Sequence, residues 1–410
     1  VAVVAGLLTA TLALSACGGG ADTSSENSTA ATADKPLRSD DAAAIQALFT
    51  QATLADVNIG TVDKSIQDAF AVAAAQLPAD KQKLALECWE KNTCTVPGGG
   101  DVIVGIADGF AGNTWRQYSK MEAILQALAY PNIGKIMYVD AKSNLATMQS
   151  NVRSLVAQGA KVIVSYNDFG DAMKPTYAAA QRSGAKVALY TTPVGSATKQ
   201  DVAAQVLPDN CQLGKDQADA TAAAIGGSGQ VAYFNGTPGN PAGVIWNKCA
   251  TDQFKAKYPG ITVARSLDTN WTPDGYYKAA SAVIASGAPV KAILTDYAEP
   301  MVQVFKAYQQ AGVKPPAFIT STCNNGLNKA WSQAQGTPEA FDLYYTNGTN
   351  WTARVALTAA MEDLAGAELP EKIVFPQPFV KASATSWVQD RGEDYVESTL
   401  IPADLLNQMN

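Results

Sequence analysis

The sequence predicts an α/β protein of two Rossmann-like lobes, each built on a parallel sheet, with a helical extension in front of them. Three observations carry this reading. From residue 101 onward, short β-branched apolar runs alternate with amphipathic stretches, the pattern of βα units. The alternation falls into two series of similar size, the second beginning near Asn210. Ahead of both, residues 39–90 show helical periodicity and no convincing strand. With 410 residues, 47% of them hydrophobic, the chain is long enough for two or three domains with real cores.

In the first series the expected strands are DVIVGIA (101–107), KIMYVDA (135–141), KVIVSY (161–166) and KVALYTT (186–192), with helical patterns at 114–128, 145–158 and 172–183 between them. In the second, helices over 213–225, 242–257, 276–286 and 300–311 precede the strands QVAYFN (230–235), ITVARSL (261–267), KAILTD (291–296) and AFITST (317–322). The extension reads as three short helices, ended by two nearby cysteines and the PGGG turn at 97–100.

Residues 1–14 are apolar or small and uncharged. A membrane-spanning helix needs about 20 such residues, so this run reads instead as the hydrophobic region of an export signal. It is followed by Leu14-Ser15-Ala16-Cys17, which resembles the lipobox of bacterial lipoproteins, where the cysteine is lipidated and becomes the mature N-terminus. On that reading 1–16 is a signal peptide, Cys17 carries the lipid, 17–38 is a flexible tether of small polar residues, and 39–100 is the helical extension. The alternative is a buried N-terminal strand with a chance cysteine. The folded part is expected outside the cytoplasmic membrane, held to it by lipid alone.

An exported protein is allowed disulfides. Cys88 and Cys94 flank only WEKNT, a spacing suited to a local staple worth about 2 kcal/mol by loop entropy, and Cys211 with Cys249 would close a longer loop worth about 4 kcal/mol. Cys323 is left over. The alternative is that all five are reduced and buried as small hydrophobes.

Several function classes are excluded. The formal charge is −7, with no Lys/Arg-rich run, which argues against a nucleic-acid partner because neutralising phosphates takes clustered positive charge. The chain has no histidine, which removes Ser-His-Asp and Cys-His nucleophile activation and the histidine-based zinc and iron sites together. There is no CxxC and no GxSxG elbow, and the GTPGN turn at 236–240 is not followed by GK[ST], so it is not a phosphate-binding Walker loop. An enzyme is not expected, nor a cofactor or a metal.

Four further segments, in order, carry a family resemblance: VGIADGFAGNTWRQ after the first strand, LVAQGAKVIVS at 155–165, LPDNCQLGKDQAD at 207–219 and AYQQAGVKPPAFIT at 307–320. Together with the lipobox and the two serial halves, they resemble a type I, ribose-type solute-binding lipoprotein of an ABC sugar importer, over residues 101–380. The resemblance implies lobes joined by a multi-strand hinge that the chain crosses three times. It places 101–208 with 350–376 in lobe 1 and 209–349 with 377–410 in lobe 2. It also implies a monomer that binds a small solute between the lobes and delivers it to ABC permease subunits. Relatives carry an Asp-Arg pair where this chain has Thr191-Thr192, and an Asp where it has Ser321-Thr322. That departure points away from ribose and towards a neutral polyol, another sugar or a different small polar molecule.

Ligands of open α/β sheets bind beyond the carboxyl ends of the strands. The first strand leads to Phe110, Asn113, Trp115 and Arg116, where an aromatic plate beside amide and guanidinium groups suits the C–H faces and hydroxyls of a sugar. The third strand delivers Asn167 and Asp168, the fourth Tyr190 and Thr191. In lobe 2 the candidates are Asn235, then Trp246 and Lys248 where the family often has a ligand-binding Arg, then Asp296 and Tyr297, Asn324 with Asn325, and finally Asn347 with Trp351 near the last crossing. Against these stand ordinary structural roles: Trp115 as helix core, Arg116 as a solvated residue, and Asn and Asp as turn formers. A sensor lipoprotein, or a binder of nucleosides, would share this pattern. Substitution Cys17→Ala is expected to move the protein from the membrane pellet to the soluble or secreted fraction; retention in the pellet after a carbonate wash would contradict lipid anchoring.

Overall fold

The computed structural model describes residues 35–409, so the expected signal peptide, Cys17 and nearly all of the tether lie outside the described residues. The extension comprises helices α1 (Ala42–Thr53), α2 (Lys64–Ala74) and α3 (Ala79–Lys91) and a short strand, β1 (Thr93–Thr95). The first two helices start on side-chain caps: Asp41 accepts from the N–H groups of Ala43 and Ala44 at 3.0 and 3.1 Å, and Asp63 from that of Ser65 at 2.9 Å.

Lobe 1 follows with β2 (Val102–Asp108), α4 (Thr114–Leu128), β3 (Ile133–Asp140), α5 (Leu145–Ala157), β4 (Ala160–Tyr166), α6 (Lys174–Arg182), β5 (Lys186–Tyr190) and β6 (Ala204–Pro208). Lobe 2 contains α7 (Asn210–Ile225), β7 (Ser228–Asn235), α8 (Pro241–Lys257), β8 (Gly260–Asp268), α9 (Pro273–Ala285), β9 (Val290–Thr295), α10 (Met301–Ala311), β10 (Ala317–Thr320), α11 (Asn325–Ala334) and β11 (Leu343–Tyr345). The chain returns to the first sheet with α12 (Thr352–Leu364) and β12 (Lys372–Phe375), goes back to the second with β13 (Val380–Lys381), and ends near the short helix α13 (Ala403–Leu406). The two sheets have strand orders β1-β3-β2-β4-β5-β6-β12 and β13-β11-β10-β9-β7-β8. Pairing is parallel throughout except for β1 with β3 and β13 with β11, the short strands added at the sheet edges. Parallel strands covered by helices are buried on both faces, which is why β2 and β4 read as near-continuous apolar runs.

The extension changes the fate of α4. Its sequence reads as amphipathic, yet nearly every residue of it is buried, because α2, α3 and α12 cover the face turned away from the sheet. Its polar side chains therefore need partners. Gln126 donates to the Ala69 carbonyl at 3.2 Å and the Thr358 hydroxyl at 2.9 Å, while Glu122 pairs with Arg354 and accepts from the Thr399 hydroxyl and Leu400 N–H at 2.9 and 2.8 Å. The last contacts show where the chain end lies. Residues 386–395 are held on α11 by Asn325 and Asn328, but from Thr399 the chain packs on lobe 1 and the extension, where Gln51 donates to the Thr399 carbonyl at 2.8 Å. The C-terminal stretch therefore makes a fourth crossing, which the assignment of 377–410 to lobe 2 did not include; the cause is the buried carboxylate of Glu122, which recruits it.

Trp351 faces the same way. It was a candidate for the cleft, but its ring packs against Phe70 and Phe375 with centroids 5.3 and 5.2 Å away, Phe49 and Phe70 meet at 4.9 Å, and its indole N–H donates to the Ala52 carbonyl at 3.0 Å. It is the pin that holds the extension to lobe 1. Cys88 on α3 is paired with Cys94 on β1, and Cys211 on α7 with Cys249 on α8, with Cα atoms 5.0 and 5.2 Å apart, while Cys323 is buried outside any pair. Helices α7 and α8 also pack closely, so that a Cβ at Gly214 would meet the Ala250 nitrogen at 3.0 Å. Trp351→Ala is expected to cost about 3–5 kcal/mol of unfolding free energy in urea titrations; a loss below about 1 kcal/mol would mean that the extension is held elsewhere.

Candidate functional site

The carboxyl ends of the two parallel sheets face each other across a cavity of about 90 Å³. Its lobe 1 wall begins at the end of β2. Asn113 caps α4, its side-chain oxygen accepting from Arg116 N–H at 2.9 Å, and this places Trp115 and Arg116 in the first turn, facing the cavity. Arg116 is only 3% exposed. Its guanidinium donates to Asp108 and, at 2.7 Å, to Asp168, and lies 3.3 Å from the centre of the Tyr166 ring. Burial pushes the Asp108 carboxyl up to about 7 and that of Asp168 upward as well, while Arg116 opposes both shifts. Asp168 therefore serves the arginine and does not line the cavity.

Trp115 does line it, and is also core. Its ring is edge-on to Tyr166 at 5.5 Å and stacked with Tyr190 at 6.4 Å, and its indole N–H donates to the Gly348 carbonyl at a crossing. Tyr190 thus sits behind the wall, while Thr191, at φ 65°, turns onto it.

The lobe 2 wall is built at the start of α8 and at the ends of β8 and β9. Asn240 caps α8 through its oxygen, accepting from Ala242 and Gly243 at 3.1 and 3.3 Å, and this leaves its amide nitrogen buried with no partner among the described residues. One turn and a half later, the Trp246 N–H is in the same condition. At the hinge, the Gln377 amide oxygen, between β12 and β13, makes a third. All three residues line the cavity. Trp271, after β8, donates its N–H to Asp296 at 3.0 Å. Burial pushes the Asp296 carboxyl up to about 6, against the pull of that hydrogen bond. Tyr297 adds its ring to the wall, with its hydroxyl on Glu299.

Asn113, Trp115, Arg116, Thr191, Trp246, Asp296 and Tyr297 are thus brought together. The other candidates are elsewhere, each for a local reason. Phe110 lies in the loop before α4, away from the lining. Asn167 ties its loop by donating to the Gly170 and Pro193 carbonyls at 3.0 and 3.1 Å. Asn235 is engaged with Ser266, Asp268 and Asn247. Asn324 caps α11, accepting from Leu327 at 3.2 Å, and Asn325 holds the C-terminal segment. Asn347 joins two crossings, accepting from Thr349 N–H at 3.2 Å and donating to the Pro376 carbonyl at 3.3 Å. Lys248 is exposed and paired with Asp252 at 2.6 Å; two residues past Trp246 is about 200° around a helix, so one faces the cavity and the other faces solvent. Residue-by-residue reading overlooked Tyr166, Asn240, Trp271 and Gln377, although Trp271 follows a strand as the named candidates do.

Two α/β lobes in series, closing on an aromatic and polar cavity at the ends of both sheets, define a bilobal solute-binding protein. The chain belongs to the periplasmic binding protein family, with residues 104–368 matching the periplasmic binding protein domain. Its relatives are substrate-binding proteins and not enzymes. It is similar to the xylitol-binding protein of Mycolicibacterium smegmatis, 24% identical over 260 residues that make up 62% of this chain and 71% of that protein. Among solved structures it resembles the arabinose ABC transporter binding protein of Shewanella sp. ANA-3, bound to L-arabinofuranose, with TM-score 0.62, 18% identity, and 68% of this chain and 92% of that one covered. It also resembles an ABC transporter solute-binding protein of Mycobacterium smegmatis with bound glycerol, with TM-score 0.62, 16% identity, and 72% and 99% covered. These structural likenesses establish the fold. Among the described residues no helix is long and apolar enough to cross a membrane.

Removing the arginine exposes the electrostatics. Arg116→Ala leaves two buried carboxylates without a counter-charge and is expected to cost about 3–5 kcal/mol of stability at pH 8. The deficit shrinks at pH 5, because carboxyls with raised folded pKa values contribute stability that is present at low pH and lost as pH rises. Equal deficits at the two pH values would contradict the assignment.

Proposed function

We propose that this chain is the extracytoplasmic receptor of an ABC importer, anchored by lipid on Cys17, and that it takes one small neutral sugar or polyol between its lobes. The observation that carries this reading is the set of three partnerless polar groups on the cavity wall: two donors, Asn240 Nδ2 and Trp246 Nε1, and one acceptor, Gln377 Oε1. Leaving a buried polar group unsatisfied costs roughly 1–3 kcal/mol, so three on one wall call for a ligand that both donates and accepts, which is what hydroxyls do.

Size and charge narrow the class. At roughly 10–15 Å³ per water-sized group, the cavity of about 90 Å³ holds roughly six to nine such groups, the scale of a small polyol or monosaccharide and not of an oligosaccharide. The cation on the wall, Arg116, is already held by two carboxylates, and Asp296 adds a third buried acid, so an anionic sugar finds no free counter-charge. The faces of Trp115 and Trp271 offer contact to the less hydroxylated side of such a solute. The relatives support the same class: one is named for xylitol, and others are recorded with arabinofuranose, glycerol and myo-inositol.

Calorimetry of the purified protein with xylitol, L-arabinose, glycerol, myo-inositol and gluconate tests this. Binding of at least one neutral compound is expected, with gluconate at least about tenfold weaker, the cost of burying an uncompensated charge. No heat with any neutral compound, or equal affinity for gluconate, would reject the reading.

A further inference from the structure

We propose that Gly236 is a positioning residue of the cavity: with no side chain there, the Trp271 indole lies against the lobe 2 backbone, and from that seat it holds the Asp296 carboxylate on the cavity wall. The inference rests on reading the cavity as a solute site, and extends it to a residue that does not itself line the cavity.

A Cβ built on Gly236 falls inside the Trp271 indole, overlapping Cε2, Cζ2 and Nε1. The backbone of Gly236 is not in the left-handed region, so its conformation would accept any residue. The three atoms nearest to that Cβ all belong to Trp271.

That neighbour is not free to retreat. Asn270 and Trp271 are consecutive left-handed residues, with φ 53° and 54°, a conformation that surrounding bonds must enforce for non-glycine residues. Those bonds are present and run to the strand that Gly236 follows. Thr269 N–H donates to the Asn235 carbonyl at 2.9 Å and Asn270 N–H to the Gly236 carbonyl at 3.1 Å. The Trp271 N–H donates to the Thr269 hydroxyl at 3.3 Å, and that hydroxyl donates to the Asn235 carbonyl. The turn is thus stitched to the backbone its indole lies on, and only the ring can yield to a new methyl group. The struck edge of the ring includes the indole N–H, which is bonded to Asp296 Oδ1 at 3.0 Å, so a displaced ring releases the carboxylate.

The consequence is readable without any solute. A hydrogen bond donated to a carboxylate favours its charged form, so loss of the Trp271 N–H raises the Asp296 pKa above its present position. Around the same cavity the phenols of Tyr166, Tyr276 and Tyr297 are pushed upward by burial and the Arg116 guanidinium stays charged, so none of them titrates in the same range. Binding that uses the carboxylate as acceptor then weakens as pH falls through a midpoint that lies higher in the variants.

The experiment follows the carbon-13 carboxyl resonance of Asp296, assigned with Asp296→Asn, through pH titration of the wild type, Gly236→Ala, Trp271→Phe and the double variant. Phenylalanine lacks the N–H that serves Asp296 and the Cζ2 edge of the indole. Both single variants are expected to titrate at higher pH than the wild type, and the double variant with Trp271→Phe. A Gly236→Ala midpoint equal to wild type overturns the proposal, as does an equal additional shift when Gly236→Ala is added to Trp271→Phe, since independent sites add. If Gly236→Ala does not fold, an unshifted midpoint in Trp271→Phe alone overturns it and a raised one supports it. With xylitol as probe at pH 7.5, Gly236→Ala is expected to bind about tenfold more weakly than wild type, as for loss of a hydrogen bond to a charged group, and to add less than about twofold to the effect of Trp271→Phe. A wild type that ignores xylitol while the midpoints move as stated counts against the polyol reading and leaves the role of Gly236 supported.

Discussion

The arginine held between Asp108 and Asp168 is the interaction on which the site depends. Its two carboxylates come from the ends of neighbouring strands, β2 and β4, and the guanidinium comes from the first turn of α4, so one ion cluster fixes three elements at the point where they meet the cavity. Taking three charges out of water is costly, and such a cluster is retained only with good geometry. Here the geometry is supplied by Asn113, which sets the first turn of the helix, and by Tyr166, whose ring face lies against the cation. Trp115 follows from the same turn. The floor of the cavity is therefore a polar construction, surrounded by apolar sheet.

The far end of α4 is held by a second polar cluster. Glu122 and Arg354 join α4 to α12, and the same carboxylate takes the chain near Thr399. Between these clusters, α4 runs from the cavity to the extension with hardly any exposed residue. The extension thus finishes the core of lobe 1 and covers Trp351, which a two-lobe protein of this kind would otherwise need to cover in another way.

What could be read from the sequence, and what could not, follows from which residues meet water. Strands and helices with one wet face declared themselves, and α4 was placed over its observed span, Thr114–Leu128. Helix α12, TARVALTAAMEDL, is buried on almost every side, and its polar stripe of Arg354, Thr358 and Glu362 meets other side chains instead of water, so it presents no wet face to read. Strands β11 and β13 have three and two residues, too few for an alternation to register. In the site, the rule of strand ends reached Trp115, Arg116, Asp296 and Tyr297, but successive strand residues face opposite ways, and Tyr190 fell behind the wall that Thr191 joins. Trp271 was lost in TNWTPDG, whose composition reads as a turn. Asn240 has meaning only through which of its two side-chain atoms the helix cap leaves unused, and Gln377 sits between two prolines in a crossing with no period.

The fourth crossing has a mechanical meaning. A peptide clamped to α11 at one end and to α4 at the other is a leash beside the other crossings, and only a rotation that moves its two clamps apart must stretch it or strip one of them. A leash truncates the range of gape available to the molecule, so fewer wide-open arrangements compete with those from which the jaws can meet. Apparent affinity is reduced by the fraction of molecules that are not competent to bind, and a shorter arc keeps that fraction small. Residues 386–400, absent from the lining of the cavity, thereby bear on the arrangements open to the two lobes.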